Sequence, residues 1–156
     1  MAALVAWDNL AVNETGDAGS PNSVGSVPAS TRRPRVLALG QASDFCGPPG
    51  ETAEAKKTAY EAWRAAGQPA MQVVLAGSSR FVWGTQGVGT ARQAQALFYT
   101  QAWFDRWLKG DAAATARLLA RKIDGVGLDQ VLSTRFRSAA AFDGRNCPDL
   151  RSARGP

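Results

Sequence analysis

The sequence predicts an α/β domain with about three parallel strands and flanking helices. Three observations carry that prediction. Short apolar runs at Ala2–Trp7, Val36–Gly40 and Met71–Ala76 lack the polar alternation of a half-exposed strand. A helical pattern over Thr52–Ala66 separates the second run from the third, the rhythm of a parallel βαβ unit. A longer helical segment, from about Ala91 to Lys109, spreads apolar residues over so wide an arc that it needs burial on more than one side.

Each element follows from local chemistry. Ala2–Trp7 (AALVAW) reads as a short buried strand, which the chain leaves at Asp8-Asn9-Leu10. Residues 12–35 are rich in Gly, Ser, Pro, Asn and Thr and show no periodicity, so they read as one long loop. Val36–Gly40 is a second strand, running on to Ser43-Asp44-Phe45, and Cys46-Gly47-Pro48-Pro49-Gly50 is a turn that no helix or inner strand accommodates. In Thr52–Ala66, the residues Ala59, Tyr60, Trp63 and Ala66 share one helical face, and Gly67 followed by Pro69 supplies the stop. Met71–Ala76 is the third strand, and Gly77–Phe81 is a tight loop. In the long helix Leu97, Phe104 and Leu108 form one stripe and Tyr99, Trp103 and Trp107 another, with Gly110 as terminator. Ala112–Arg121 reads as a short helix, Leu132–Ser138 as an edge strand with Arg135 and Arg137 outward, and residues 143–156 as an irregular tail. The 156 residues make one domain, and five tryptophans supply its core.

Composition excludes several functions. No apolar run reaches the ~18 residues of a membrane-spanning helix. The first residues lack the basic n-region of a signal peptide. The net charge is +5, yet Arg32, Arg33 and Arg35 flank a proline, Arg151 and Arg154 lie in the tail, and the other cations alternate with acids. No basic stripe interleaved with aromatics emerges, which argues against a nucleic-acid partner. The chain contains no histidine, so no His-containing metal site can form, and no cofactor motif is present. Cys46 and Cys147 lack the spacing of a zinc or redox pair. They read either as two buried thiols or as a long-range disulfide, which requires an oxidising compartment.

Several segments, taken in order, resemble the C-terminal portion of a family of bacterial, usually exported α/β-hydrolases. They are Ala6–Leu10 (AWDNL), Val36–Phe45, Val74–Phe81 (VLAGSSRF), Tyr99–Asp111 (YTQAWFDRWLKGD), Ala116–Leu119, Phe136–Ser138 and Cys147–Arg151. In such enzymes the chain order is nucleophile, acid, histidine. The resemblance implies a partial α/β-hydrolase fold in which Asp44 stands at the position of the triad acid and Arg80 at that of the histidine. No G-x-S-x-G elbow occurs anywhere in the sequence. Arg80 cannot replace an imidazole, because a guanidinium stays protonated. The resemblance therefore implies a fragment of a serine-type acyl or ester hydrolase that is inactive by itself. The alternative is a half-domain binding module that pairs with a separate chain carrying the nucleophile. In either case the Ala2–Trp7 strand is expected to present an apolar edge, favouring self-association or pairing with the missing half.

Overall fold

The computed structural model describes residues 2–7, 36–44 and 52–152. The elements run β1 (Ala2–Trp7), β2 (Val36–Ser43), α1 (Thr58–Ala65), β3 (Ala70–Leu75), α2 (Ala91–Trp107), α3 (Ala113–Leu118), β4 (Lys122–Ile123), β5 (Val126–Gly127), α4 (Leu128–Val131), β6 (Ala139–Phe142) and β7 (Arg145–Cys147). One sheet has the order β1-β2-β3-β6-β7, and β4 pairs with β5 in a separate small hairpin. The strands β1, β2 and β3 are mutually parallel, with Ala2 opposite Val36 and Ala38 opposite Ala70. The β6–β7 hairpin is antiparallel and joins through β6 to β3, with Met71 opposite Ala140.

The sheet is covered on both faces, and the alternation of residue size decides what covers each. On one face Ala38, Ala70 and Ala139 present only methyl groups, and α1 lays Tyr60 and Trp63 over them. On the other face Leu39, Met71, Val73 and Leu75 meet Ala96, Tyr99 and Trp103 of α2. Trp103 and Trp107 pack edge-on against Phe142 of β6, so α2 is locked to the hairpin as well as to the parallel strands. Full burial of one such aromatic side chain stabilises by roughly 1.5–3 kcal/mol.

The helix ends obey the sequence signals. Gly67 takes φ +72°. Its N–H donates to Arg64 O, while Gln68 N–H reaches back to Trp63 O, the paired bonds of a Schellman stop. The Thr90 side chain accepts from Gln93 N–H and opens α2. The expected helix from Thr52 begins later: a 3-10 turn at Ala55–Lys57 precedes α1. The helix expected over Ala112–Arg121 spans Ala113–Leu118.

Three expectations are corrected. The sheet has five strands, because an antiparallel hairpin extends the three parallel ones. Leu132–Ser138 is not a strand, although Arg135 and Arg137 do face outward. Ser133 Oγ accepts from both Arg135 N–H and Phe136 N–H, which curls the chain away from a ladder. Ser138 Oγ accepts from Val74 N–H, replacing a strand bond by a side-chain bond. The tail is not wholly irregular, since Arg145–Cys147 forms β7. Asp143 and Gly144 hold φ +52° and +75°, the two left-handed residues of a tight hairpin turn. The long loop expected over 12–35 lies outside the described residues. No described helix is long and apolar enough to cross a membrane.

Candidate functional site

In a parallel sheet, polar groups collect beyond the carboxyl ends of the strands. Here β2 ends at Ser43 and β3 at Leu75, two residues paired in register, so the segments that follow lie side by side. Asp44 leaves β2, and Gly77-Ser78-Ser79 leaves β3. Between them, with Arg135, they line an open depression of about 350 Å³.

The Asp44 carboxylate is anchored from two directions. Ser133 Oγ donates to its Oδ1 at 2.7 Å, and Gly77 N–H donates to its Oδ2 at 3.3 Å. The Asp44 backbone is held too, its N–H donating to Ser78 Oγ at 3.3 Å and its carbonyl accepting from Arg135 at 3.4 Å. The Arg135 guanidinium also lies over the Phe136 ring, at 5.1 Å from the centroid, on the rim of the depression. The fixed carboxylate can orient a hydrogen-bond donor, and the guanidinium can meet an anion.

The three serines around it are committed to structure. Ser133 is buried; its hydroxyl hydrogen goes to Asp44 and its oxygen accepts two backbone N–H groups. Ser78 is buried and donates to Leu75 O at 2.7 Å while accepting from Asp44 N–H. Ser79 caps the 3-10 turn Arg80–Trp83 by accepting from Phe81 N–H. An acyl-transfer nucleophile needs a reachable oxygen and a neighbouring base free to take its proton. None of these hydroxyls has both.

Asp44 is thus placed at the carboxyl end of β2, as the sequence suggested, and Arg80 opens the turn that follows β3. The Arg80 side chain lies outside the described residues, so a pairing of Asp44 with Arg80 falls outside them too. Ser133 was not singled out from sequence, and the Ser-Thr-Arg-Phe segment carries no signal beyond a serine able to turn its own backbone. Cys46 also lies outside the described residues. Cys147 is a buried free thiol that donates to Asp149 O at 3.3 Å, and burial pushes its pKa up, which makes it a poor nucleophile. Among the described residues, no cluster of His, Cys, Asp or Glu could hold a metal ion.

A second polar cluster ties β1 and β2 to α2. Gln41, wholly buried, donates from Nε2 to Ala96 O at 3.0 Å and to Thr100 Oγ1 at 2.9 Å. Trp7 Nε1 donates to the same hydroxyl at 3.1 Å, and its ring stacks on Trp83 with centroids 6.2 Å apart. Compared with models of protein families, with curated protein sequences and with solved structures, the chain matches none.

Proposed function

We propose that these 156 residues form the acid-bearing portion of a serine-hydrolase-type α/β sheet and do not hydrolyse acyl esters by themselves. One observation carries this reading: the Asp44 carboxylate is fixed beyond the carboxyl ends of two adjacent parallel strands, with only structurally committed hydroxyls around it. In the enzymes the sequence resembles, such a carboxylate orients an imidazole that takes a proton from serine. This sequence has neither the imidazole nor the G-x-S-x-G elbow. Asp44 then keeps the positioning half of that role, holding together the turns after β2 and β3 and the segment around Ser133. Loss of even one triad member lowers acyl-transfer rates by orders of magnitude, and here two are absent.

Turnover of an activated ester by the purified chain tests this. The expected rate equals that of the heat-treated chain and is unchanged by the double substitution Ser78→Ala, Ser79→Ala. Arg80→His is expected to leave it unchanged as well, because no serine is placed for an imidazole to activate. Turnover that depends on Ser78 or Ser79 contradicts the reading.

A further inference from the structure

Two hairpin tips carry the same dipeptide in the same conformation. Asp124-Gly125 joins β4 to β5, with Ile123 opposite Val126, and Asp143-Gly144 joins β6 to β7, with Phe142 opposite Arg145. Asp124 and Asp143 hold φ +49° and +52°, and the glycines after them +82° and +75°. These are the paired left-handed residues of a two-residue hairpin turn, and both tips are exposed.

An aspartate followed by glycine has a chemistry of its own. The glycine backbone nitrogen can attack the aspartate Cγ, because the ring that forms has five members and glycine has no side chain to crowd the approach. The N–Cγ bond forms, the Cγ–OH bond breaks, and the nitrogen's proton leaves with the hydroxyl as water. Water then adds to the cyclic imide, and no oxidant or reductant takes part. Opening at the side-chain carbonyl restores aspartate. Opening at the main-chain carbonyl leaves isoaspartate, whose backbone runs through Cβ and Cγ and is one carbon longer. Ring closure needs the peptide plane after the aspartate to turn, which a closed hairpin tip resists, so its rate follows local opening.

The surroundings of the two tips differ. Arg106 Nη2 donates to Asp143 Oδ1 at 2.9 Å and to Oδ2 at 3.1 Å, Arg106 Nε donates to Oδ2 at 3.2 Å, and Thr115 Oγ1 donates to Oδ2 at 3.1 Å. The Arg106 guanidinium is itself seated 4.3 Å from the centroid of the Trp107 ring. Charge-assisted bonds in this bidentate form fix the Asp143 carboxylate to α2 and α3. Behind it, β6 pairs with β3, and Phe142 packs on Trp103 and Trp107. Among the described residues, nothing hydrogen-bonds or ion-pairs with the Asp124 carboxylate. Its strands, β4 and β5, are two residues each and pair only with each other.

We propose that Asp124-Gly125 is a site of spontaneous isoaspartate formation in the folded protein, and that Arg106 and Thr115 shield Asp143-Gly144 from the same reaction. This inference does not depend on the hydrolase-type reading.

Ageing of the full chain in warm neutral buffer, followed by tryptic digestion, tests it. Asp124 and Asp143 fall in separate tryptic peptides, 123–135 and 138–145. Isoaspartate appears as a second chromatographic form of equal mass, placed by fragmentation and absent in Asp124→Glu. In the folded chain the rate at Asp124 is expected to exceed that at Asp143 by at least about tenfold, the factor that one charge-assisted hydrogen bond supplies. In denaturant the two rates are expected to converge. Arg106→Gln and, independently, Thr115→Val are expected to raise the rate at Asp143 and leave that at Asp124 unchanged, with circular dichroism confirming that each variant is folded. Equal rates in the folded wild type overturn the proposal, and so does a difference that persists in denaturant. An Asp124 that stays unmodified in the folded chain while the denatured chain converts overturns it too. An Asp143 rate unmoved in both folded variants overturns the shielding by Arg106 and Thr115.

Discussion

At one end of the sheet β7 is three residues long, turns Arg145 and Asn146 to solvent, and is followed at once by Pro148. A strap closes that end: Leu150 N–H donates to Ser138 O, Leu150 enters the core, and Arg121 holds the carbonyls of Leu150 and Ser152. At the other end β1 is twice as long, uncharged, and exposes Leu4 and Trp7. Both are terminal strands of the same sheet, β1 parallel to its neighbour and β7 antiparallel to its own, and they differ in length and in side-chain chemistry. Shortness, charge and proline protect the β7 end from pairing with another chain, and the β1 end has none of the three.

Breaking the closed end is expected to have the largest effect. Trp103 is fully buried and packs edge-on against Phe142 of the hairpin. Trp103→Ala is expected to cost about 3–5 kcal/mol of unfolding free energy, read by denaturant titration. A loss below about 1 kcal/mol would show that α2 does not hold the hairpin to the parallel strands. Next in size is Ser133→Ala, which leaves Asp44 Oδ1 without its donor and two N–H groups without their acceptor. The expected cost is about 1–3 kcal/mol, and an unchanged denaturation midpoint contradicts the network.

The hairpin turn sharpens the comparison on a smaller scale. Gly144→Ala places a side chain at φ +75°, with an expected loss of about 1–2 kcal/mol. Leu4→Ala on the exposed β1 edge should change the stability of the isolated chain by less than about 0.5 kcal/mol. If the two substitutions cost the same, the ends are not distinguished by how tightly they are built.

Another small effect is electrostatic. A hydrogen bond from Lys57 holds the Glu54 carboxyl below its ordinary pKa, and hydrogen bonds from Lys109 and then Arg117 do the same for Asp105. A carboxylate depressed in the folded state stabilises fully above its unfolded pKa, and that contribution disappears as pH falls through the folded value. Melting temperature should therefore drop on acidification below the ordinary carboxylate range of about pH 4. The gap between wild type and Glu54→Gln should close over the same interval. Glu54 is half-exposed, so its contribution stays below about 1 kcal/mol. A gap that is constant with pH contradicts this assignment.

The parallel core was legible because its signals are local and redundant. Ala59, Tyr60 and Trp63 announced the buried face of α1, Gly67 its end, and the three apolar runs the parallel strands. The antiparallel part was written just as plainly in Asp124-Gly125 and Asp143-Gly144, whose left-handed conformations close the β4–β5 and β6–β7 hairpins. The sequence reading passes over both dipeptides and takes the apparent alternation of Leu132–Ser138 as a strand, a pattern that Ser133 breaks by bonding its own backbone. At the site, Asp44 was visible as an acid beyond a strand end. Its partner Ser133 is 89 residues away, and no local pattern announces a contact of that separation.

The account turns on Asp44 and the neighbouring serines acting as a structural hydrogen-bond network, with no part in acyl transfer. Intact-mass measurement after exposure to a serine-reactive fluorophosphonate tests this most directly. The expected spectrum shows the unmodified chain alone, with the same result for Ser78→Ala and Ser133→Ala. Stoichiometric modification that maps to Ser78, Ser79 or Ser133 and disappears when that serine is replaced would show an activated nucleophile and contradict the account.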